Sequence, residues 1–482
     1  MAEVILVQPR IGDWDIVRSH PSLPLALLSA SRFVEKEFET KLIDARVDSA
    51  WKTNLIAELK KSPLCVGVTS MTGRQIAFAL EIARTVKENS DAKVVWGGIH
   101  ASIFPKETLE NRYVDFVVKG EGEFAFLELA RAMKNRAPFN NITGLWYKDG
   151  LMAKRNADRA FCDMDELCPV PYRLVDFDKY LPIFMGRRTM HFETSRGCPN
   201  TCTYCYNKSY NERLWRSQSP DIVLKNLKEV IYEKNVNNFY VIDDNFFVDL
   251  RRAGEICEGI VKDRIDMYWE AQGITIQSAL RMDDGYINLL EKSGLKKVHF
   301  GAESGSGRIL KLVRKNISVA DMLAVNRKFK KHNIVLQYNF MSGFPTEEIS
   351  DIRDTIKVCF GLMDENSKAL ISPICPYTPY PGTELYAEAL KAGLKEKKGL
   401  EDWIESDYGD NIWNSKERMR LLQRLFFASM FLDAHRAKDM IESPLLKLAI
   451  NAYRPIAKFR LKHVFFSLMP ELAIKNFIFN NL

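Results

Sequence analysis

The 482-residue chain lacks any uninterrupted apolar run approaching the ~20 residues that cross a bilayer, so no membrane-spanning helix is expected. Its opening residues, Met-Ala-Glu-Val-Ile-Leu-Val, lack the basic region and apolar stretch of an export signal, and a cytoplasmic protein is expected. A disulfide framework is lacking too, because nine cysteines, an odd number scattered along a long chain, suit a reducing compartment. With 46% hydrophobic and 27% charged residues the composition excludes a disordered chain, and the length predicts two or three domains. There is also no basic stripe for nucleic acid. Of the net charge of +7, the segment 445–482 contributes +5, from Lys447, Arg454, Lys458, Arg460, Lys462 and Lys475 against Glu471, and no nucleic-acid partner is expected.

Chemistry is concentrated in Thr194-Ser-Arg-Gly-Cys-Pro-Asn-Thr-Cys-Thr-Tyr-Cys205, where Cys198, Cys202 and Cys205 have C-x3-C-x2-C spacing. Three thiolates on one short loop can hold three corners of an iron–sulfur cubane and leave the fourth iron open. A zinc site is the alternative, but no fourth cysteine or histidine stands nearby at zinc-ligand spacing. Tyr204 places an aromatic directly before the last cysteine. The stretch resembles the radical S-adenosylmethionine (SAM) superfamily. That resemblance implies a [4Fe–4S] cluster on the three cysteines, SAM chelated to the open iron, and cleavage of SAM to a 5′-deoxyadenosyl radical. The cofactors carry this chemistry, so no side chain is expected to act as acid or base.

Residues 1–137 alternate short apolar strands (4–7, 41–44, 64–68, 94–96 and 116–118) with amphipathic helical patterns at 24–38, 53–62, 73–90 and 122–135. This predicts an open, doubly wound, flavodoxin-like parallel sheet with ligands beyond its carboxyl edge. The loops at that edge are Pro21–Ala26, Thr69–Gly73, Gly97–Ser102 and Gly120–Glu123, which as turns need no ligand. As a set they resemble the cobalamin-binding domain that precedes the radical SAM barrel in one large subclass. Pro24, Leu25, Thr69, Ser70, Gly97, Gly98, His100, Gly120 and Glu121 are then the implied cobalamin contacts. The Asp-x-His-x-x-Gly motif that gives cobalt an axial histidine elsewhere is absent, and His100 falls too late to replace it and is expected to order its loop.

Residues 138–187 read as a connector with an Asp-Gly hairpin at 142–154, followed by a stretch broken by Pro169, Pro171 and Pro182; Cys162 and Cys168 read there as plain thiols. From 188 to 400 strands are expected at 189–195, 238–243, 268–275, 296–303, 334–343 and 369–376, a partial (β/α)6 radical SAM barrel with its site at the strand ends. The resemblance makes Tyr204, Asp243 or Asp244, Glu303, Lys315 and Asn339 contacts of SAM. Residues 401–482 are expected to be helical, with Leu422, Leu425, Phe426 and Met430 of Leu421–Ala437 packing on the barrel. The basic, aromatic segment Tyr453–Phe466 reads either as a capping helix or as an element lying on an anionic membrane surface at the inner face.

The function this implies is cobalamin-dependent radical methylation of an unactivated carbon in a small-molecule or lipid substrate, with electrons from a carrier such as flavodoxin or ferredoxin. An alternative is a ring-forming or oxidative enzyme resembling the anaerobic bacteriochlorophyll cyclase. More remote is a non-catalytic cobalamin or redox sensor. RNA methylthiolation is disfavoured, because the first domain lacks the clustered cysteines of those enzymes.

Overall fold

Apolar runs that read as continuous rather than alternating belong to parallel strands covered on both faces. The computed structural model describes residues 2–12, 15, 21–150, 152–406, 412–432, 444–466, 469 and 471–472. In it β1 (Val4–Gln8), β2 (Thr40–Asp44), β3 (Cys65–Thr69), β4 (Lys93–Gly97) and β5 (Phe116–Val118) form a parallel sheet of order β2-β1-β3-β4-β5. Every residue of β1 and β3 is buried. Helices α1 (Leu25–Ser31), α2 (Gln75–Asn89) and α3 (Glu123–Asn135) cover the sheet, α2 through Ile76, Ala79, Ile82, Ala83 and Val86. This is the expected doubly wound sheet. Two short helices between β4 and β5, Ile99–Ile103 and Pro105–Glu110, span too few turns to leave a periodicity in the sequence.

The Asp-Gly hairpin is β6 (Leu145–Asp149) and β7 (Met152–Arg155), and β6 pairs antiparallel with β5. The hairpin thus satisfies the open edge of β5, and the first sheet has seven strands reaching Arg155, beyond the boundary expected at residue 137.

The second sheet has the order β16-β15-β14-β13-β12-β9-β8. Its strands are β8 (Ile183–Phe184), β9 (Arg187–Phe192), β12 (Asn238–Val241), β13 (Tyr268–Ile274), β14 (Leu295–Glu303), β15 (Val335–Ser342) and β16 (Ala369–Ile371). β9 and β12 to β16 are parallel, six β/α units as expected, while β8 folds back antiparallel at the edge. A separate ladder pairs β10 (Ser195–Arg196) with β11 (Arg216–Ser217). The sixth strand is split, with β17 (Cys375–Pro376) continuing beside β15 after an interruption at Pro373, which has no backbone donor. Helices α4 (Pro220–Lys234), α5 (Leu250–Lys262), α6 (Gly307–Leu312), α7 (Ile349–Glu365) and α8 (Glu384–Lys391) alternate with these strands. Their apolar sides, such as Ile256, Cys257 and Ile260 of α5, close on Phe239, Trp269, Phe300 and Leu336.

Toward the C-terminus the described residues include α9 (Lys416–Ser429) and α10 (Pro444–His463). Leu422 and Leu425 are buried as expected, but α9 stops at Ser429, so Met430 lies past the helix and is 41% exposed instead of packing on the barrel. Ala437, the expected end of this helix, and Lys475 lie outside the described residues. The segment Leu400–Trp403 returns to the first sheet, where Trp403 joins its core and donates to Glu107 at 3.0 Å. Among the described residues no helix is long and apolar enough to cross a membrane.

Candidate active site between the two sheets

The cysteine loop is set by its stem. Asp243, fully buried at the end of β12, accepts hydrogen bonds from the Thr194 amide (2.7 Å), the Thr194 hydroxyl (2.6 Å) and the Ser195 hydroxyl (2.6 Å). Burial pushes its carboxyl up to about 6 against these three donors. Asp243 is therefore turned into the stem, whereas exposed Asp244 accepts from the Gly197 amide at 2.8 Å and reaches the cavity described below. Farther along, the Thr203 amide donates to the Val313 carbonyl at 3.2 Å and the Leu385 amide to the Thr203 carbonyl at 3.1 Å. The loop between Cys202 and Cys205 is thereby pinned to the ends of α6 and α8.

Cys198, Cys202 and Cys205 are all partly buried free thiols. Among the described residues no three Cys, His, Asp or Glu side chains converge on one ion-sized point. Corners of a cubane, each bound to its own iron, need no such convergence, unlike the ligands of one zinc ion. Burial pushes the Cys205 thiol up to about 12, with the neighbouring sulfurs adding to it, so thiolates there need a metal's positive charge. The donor set fits a cluster.

Beside it lies a buried ion pair. Glu303 Oε1 accepts from Lys315 Nζ and from the Tyr204 hydroxyl, both at 2.8 Å, and Lys315 Nζ lies 3.2 Å from that hydroxyl. Burial alone would lower Lys315, but the Glu303 carboxylate and the Cys202 sulfur outweigh it and hold the ammonium above its usual range. Gly301 makes room, since a Cβ there would stand 2.4 Å from Glu303 Oε1 and 2.7 Å from Lys315 Nζ. Asn339, three positions short of the β15 end at Ser342, accepts from the Ser372 hydroxyl, which itself accepts from Gln337 at 2.7 Å.

A cavity of about 690 Å³ lies between the stem and flank of the cysteine loop and the carboxyl edge of the first sheet, and none of Cys198, Cys202, Cys205, Tyr204, Glu303, Lys315 or Asn339 lines it. Leu25, Thr69, Gly97, Gly98, Gly120 and Glu121 line it from one side, and Arg196, Tyr206, Tyr210, Gln218 and Asp244 from the other. It continues along the helix-covered face of the sheet to Leu6, Gly67, Val95 and Phe126. A Cβ on Gly120 would meet nothing within 4 Å, so the fifth-strand loop leaves open space for a flat ligand over the sheet edge. That shape and glycine edge fit a corrin.

Three residues expected at this edge are used otherwise. Pro24 caps α1, the Ser70 hydroxyl accepts from Trp96 Nε1 at 2.8 Å, and His100 is buried against Phe104 and Trp403. Burial lowers His100 to about 4, so it is neutral, with Nδ1 2.9 Å from the Thr72 hydroxyl. That contact ties His100 to the loop after β3. Glu121 lines the cavity but also joins a charge cluster between the sheets. Arg196, on β10, lies 2.9 Å from Glu121, 2.8 Å from Glu123, 2.9 Å from Glu193 and 3.0 Å from the Ser29 hydroxyl, and Arg216 shares Glu121.

Family models match both halves: a B12 binding domain over residues 16–130 and the radical SAM superfamily over 192–359. The chain belongs to the cobalamin-binding radical SAM enzymes. This radical SAM enzyme is 29% identical over 376 residues to an uncharacterised methyltransferase of Pyrococcus horikoshii, with 77% of this chain and 79% of the relative covered. It is 27% identical over 409 residues to the anaerobic magnesium-protoporphyrin IX monomethyl ester cyclase of Rubrivivax gelatinosus, with 81% and 71% covered. Its fold is that of OxsB, a cobalamin-dependent SAM radical enzyme solved with aqua-cobalamin and SAM bound. The TM-score is 0.74 at 18% identity, covering 100% of this chain and 75% of that one.

Sequence reasoning missed the work of Arg196, Asp243 and Ser372 in this radical SAM enzyme. Arg196 carried a signal, since it sits inside the Ser-Arg-Gly-Cys run while the acidic Gly-Glu-Gly-Glu run lies in the other domain. Ser372 carried none, because its partner Asn339 is 33 residues away on a neighbouring strand.

Proposed function

We propose that this enzyme transfers a methyl group to an unactivated carbon of a small molecule. The observation that carries the reading is a cavity walled by the first sheet's carboxyl edge and by the stem and flank of the cysteine loop. When bound, the cluster with SAM supplies the hydrogen-abstracting radical and cobalamin supplies the methyl group. In this reading Cys198, Cys202 and Cys205 hold the cluster. The buried Lys315–Glu303 pair, with Tyr204, presents a cation and an anion that complement the zwitterionic methionyl end of SAM. Asn339, steadied by Ser372, faces the ribose, Asp244 flanks the loop, and Thr69, Gly97, Gly98 and Gly120 edge the corrin. The functional units in this reading are residues 1–155, hairpin included, a connector at 156–182, the barrel at 183–400 and the terminal helices at 401–482.

The test is the product mass after anaerobic reconstitution with SAM and a reductant. A gain of one CH2 unit supports methyl transfer. An unchanged carbon count with loss of hydrogen would replace it with the cyclase-like reading, which the likeness to the Rubrivivax cyclase favours as the second choice.

A cytoplasmic location with a low-potential electron carrier belongs to the same reading. Peripheral contact with a membrane's inner face is supported by α10, which leaves Leu448, Ile456 and Phe459 exposed together with Phe465 just beyond it. Failure to sediment with anionic lipid vesicles would remove that part.

A further inference from the structure

Outside the cavity, the cysteine loop carries a positively charged rim. Glu384, at the start of α8, accepts from three cations of two segments: Lys208 at 3.1 Å and Arg213 at 2.8 Å, both just after Cys205, and Arg314 at 2.7 Å. Lys208 follows Cys205 by three residues, and Arg314 and Glu384 neighbour Val313 and Leu385, the two residues whose backbones pin Thr203 between Cys202 and Cys205. The rim therefore sits directly on the loop. At the cluster itself three bases meet the one acid Glu384, an excess of two positive charges. The Lys208 and Arg314 side chains are 52% and 53% exposed, and Leu214 and Tyr380 add apolar surface at 51% and 44% exposure. None of the three cations or Glu384 lines the cavity.

We propose that this rim is the docking surface for an acidic one-electron carrier protein that supplies the cluster. The inference rests on the cluster assignment above. Each SAM cleaved consumes one electron: its S–C5′ bond breaks to methionine and a deoxyadenosyl radical while the carrier is oxidised by one electron. The chain has no donor of its own for that electron among the side chains of the site. Small, charge-steered contacts suit such encounters, because they must form fast and part fast. Docking on this side keeps the carrier clear of the substrate cavity and close to the three thiolates.

The experiment uses the reconstituted full-length enzyme and a bacterial flavodoxin as the acidic probe. Binding of the oxidised flavodoxin and carrier-supported 5′-deoxyadenosine formation are measured for wild type, for Lys208→Glu/Arg314→Glu, and for Lys225→Glu/Lys228→Glu on the exposed side of α4. The first variant is expected to bind flavodoxin at least about tenfold more weakly, a difference that vanishes near 1 M salt, where charges are screened within about 3 Å. Its cluster absorbance and its dithionite-supported deoxyadenosine are expected to match wild type, and the α4 variant to match wild type throughout. Binding within about twofold of wild type for Lys208→Glu/Arg314→Glu, or equal weakening by the α4 variant, would overturn the docking surface. Absence of deoxyadenosine from wild type with dithionite would instead sink the cluster assignment, leaving the binding comparison to judge the rim.

Discussion

At the scale of single residues the ion pair Lys315–Glu303 is the most exacting feature of the site. Its Lys315 and Glu303 side chains are only 12% and 8% exposed. Changing Glu303 to Gln leaves an ammonium buried with no opposite charge, and breaking a buried pair this way costs about 3–5 kcal/mol. The urea midpoint of Glu303→Gln should fall accordingly, and SAM binding should be lost. Adding Lys315→Met to it should restore part of the midpoint, because no unpaired charge then remains buried, yet SAM binding should stay absent. Equilibrium unfolding and SAM titration together check both halves. The family resemblance pointed to Glu303, Lys315 and Tyr204 one by one, but their joining into one group came only from the structure, where the Tyr204 hydroxyl donates to Glu303 at 2.8 Å.

At the scale of elements the cysteine loop depends on its stem. Gly197 has φ +86°, and a Cβ on it would stand 1.9 Å from the Leu214 carbonyl oxygen, a backbone atom that cannot move aside alone. Gly197→Ala should displace the β10–β11 ladder and reduce bound iron and sulfide per chain to near those of Cys198→Ala, Cys202→Ala or Cys205→Ala, each of which removes one thiolate. Gly120 is a contrast. Its φ is +80° but a Cβ would meet nothing, so Gly120→Ala pays only the left-handed backbone cost of about 1–2 kcal/mol. That variant should keep its cluster charge-transfer absorbance while binding corrinoid less tightly, and iron, sulfide and corrinoid analysis of one preparation separates the two effects.

At the scale of the whole molecule Arg196 joins the two sheets. It is buried among Glu121, Glu123 and Glu193, and Arg196→Gln would strand Glu123 and Glu193, while Glu121 keeps Arg216, at a cost of about 3–5 kcal/mol. The effect has a pH signature. Burial would raise Glu123, but Arg196 overrides it and holds the carboxyl at about 2, below its ordinary 4.5. The pairing therefore adds stability that is complete above 4.5 and is lost as pH falls from there toward about 2. The stability gap between wild type and Arg196→Gln should be widest near neutrality and should narrow over that same interval in urea titrations. Because Arg196 stands two residues before Cys198, the variant should also yield less product for each SAM cleaved, which a ratio of product to deoxyadenosine measures.

The alternation of strands and helices and the C-x3-C-x2-C spacing were legible from the chain alone, whereas Glu303 came from the family resemblance. Both are local patterns: buried parallel strands are short apolar runs, and the three proposed cluster ligands are a fixed spacing on one loop. The extension of the first sheet by β6 and β7 was not legible, because pairing with β5 is a choice made between an edge and a hairpin 27 residues apart. Nor was the fate of Asp243, which reads the same as Asp244 in sequence but points into the stem while its neighbour faces the cavity. The acidic Gly-Glu-Gly-Glu loop read as a ligand contact, and folding showed that two of its carboxylates answer Arg196 from the other domain. Local patterns settle which element forms; where its charges go depends on which distant surface folding brings within about 3 Å, and only the tertiary structure decides that.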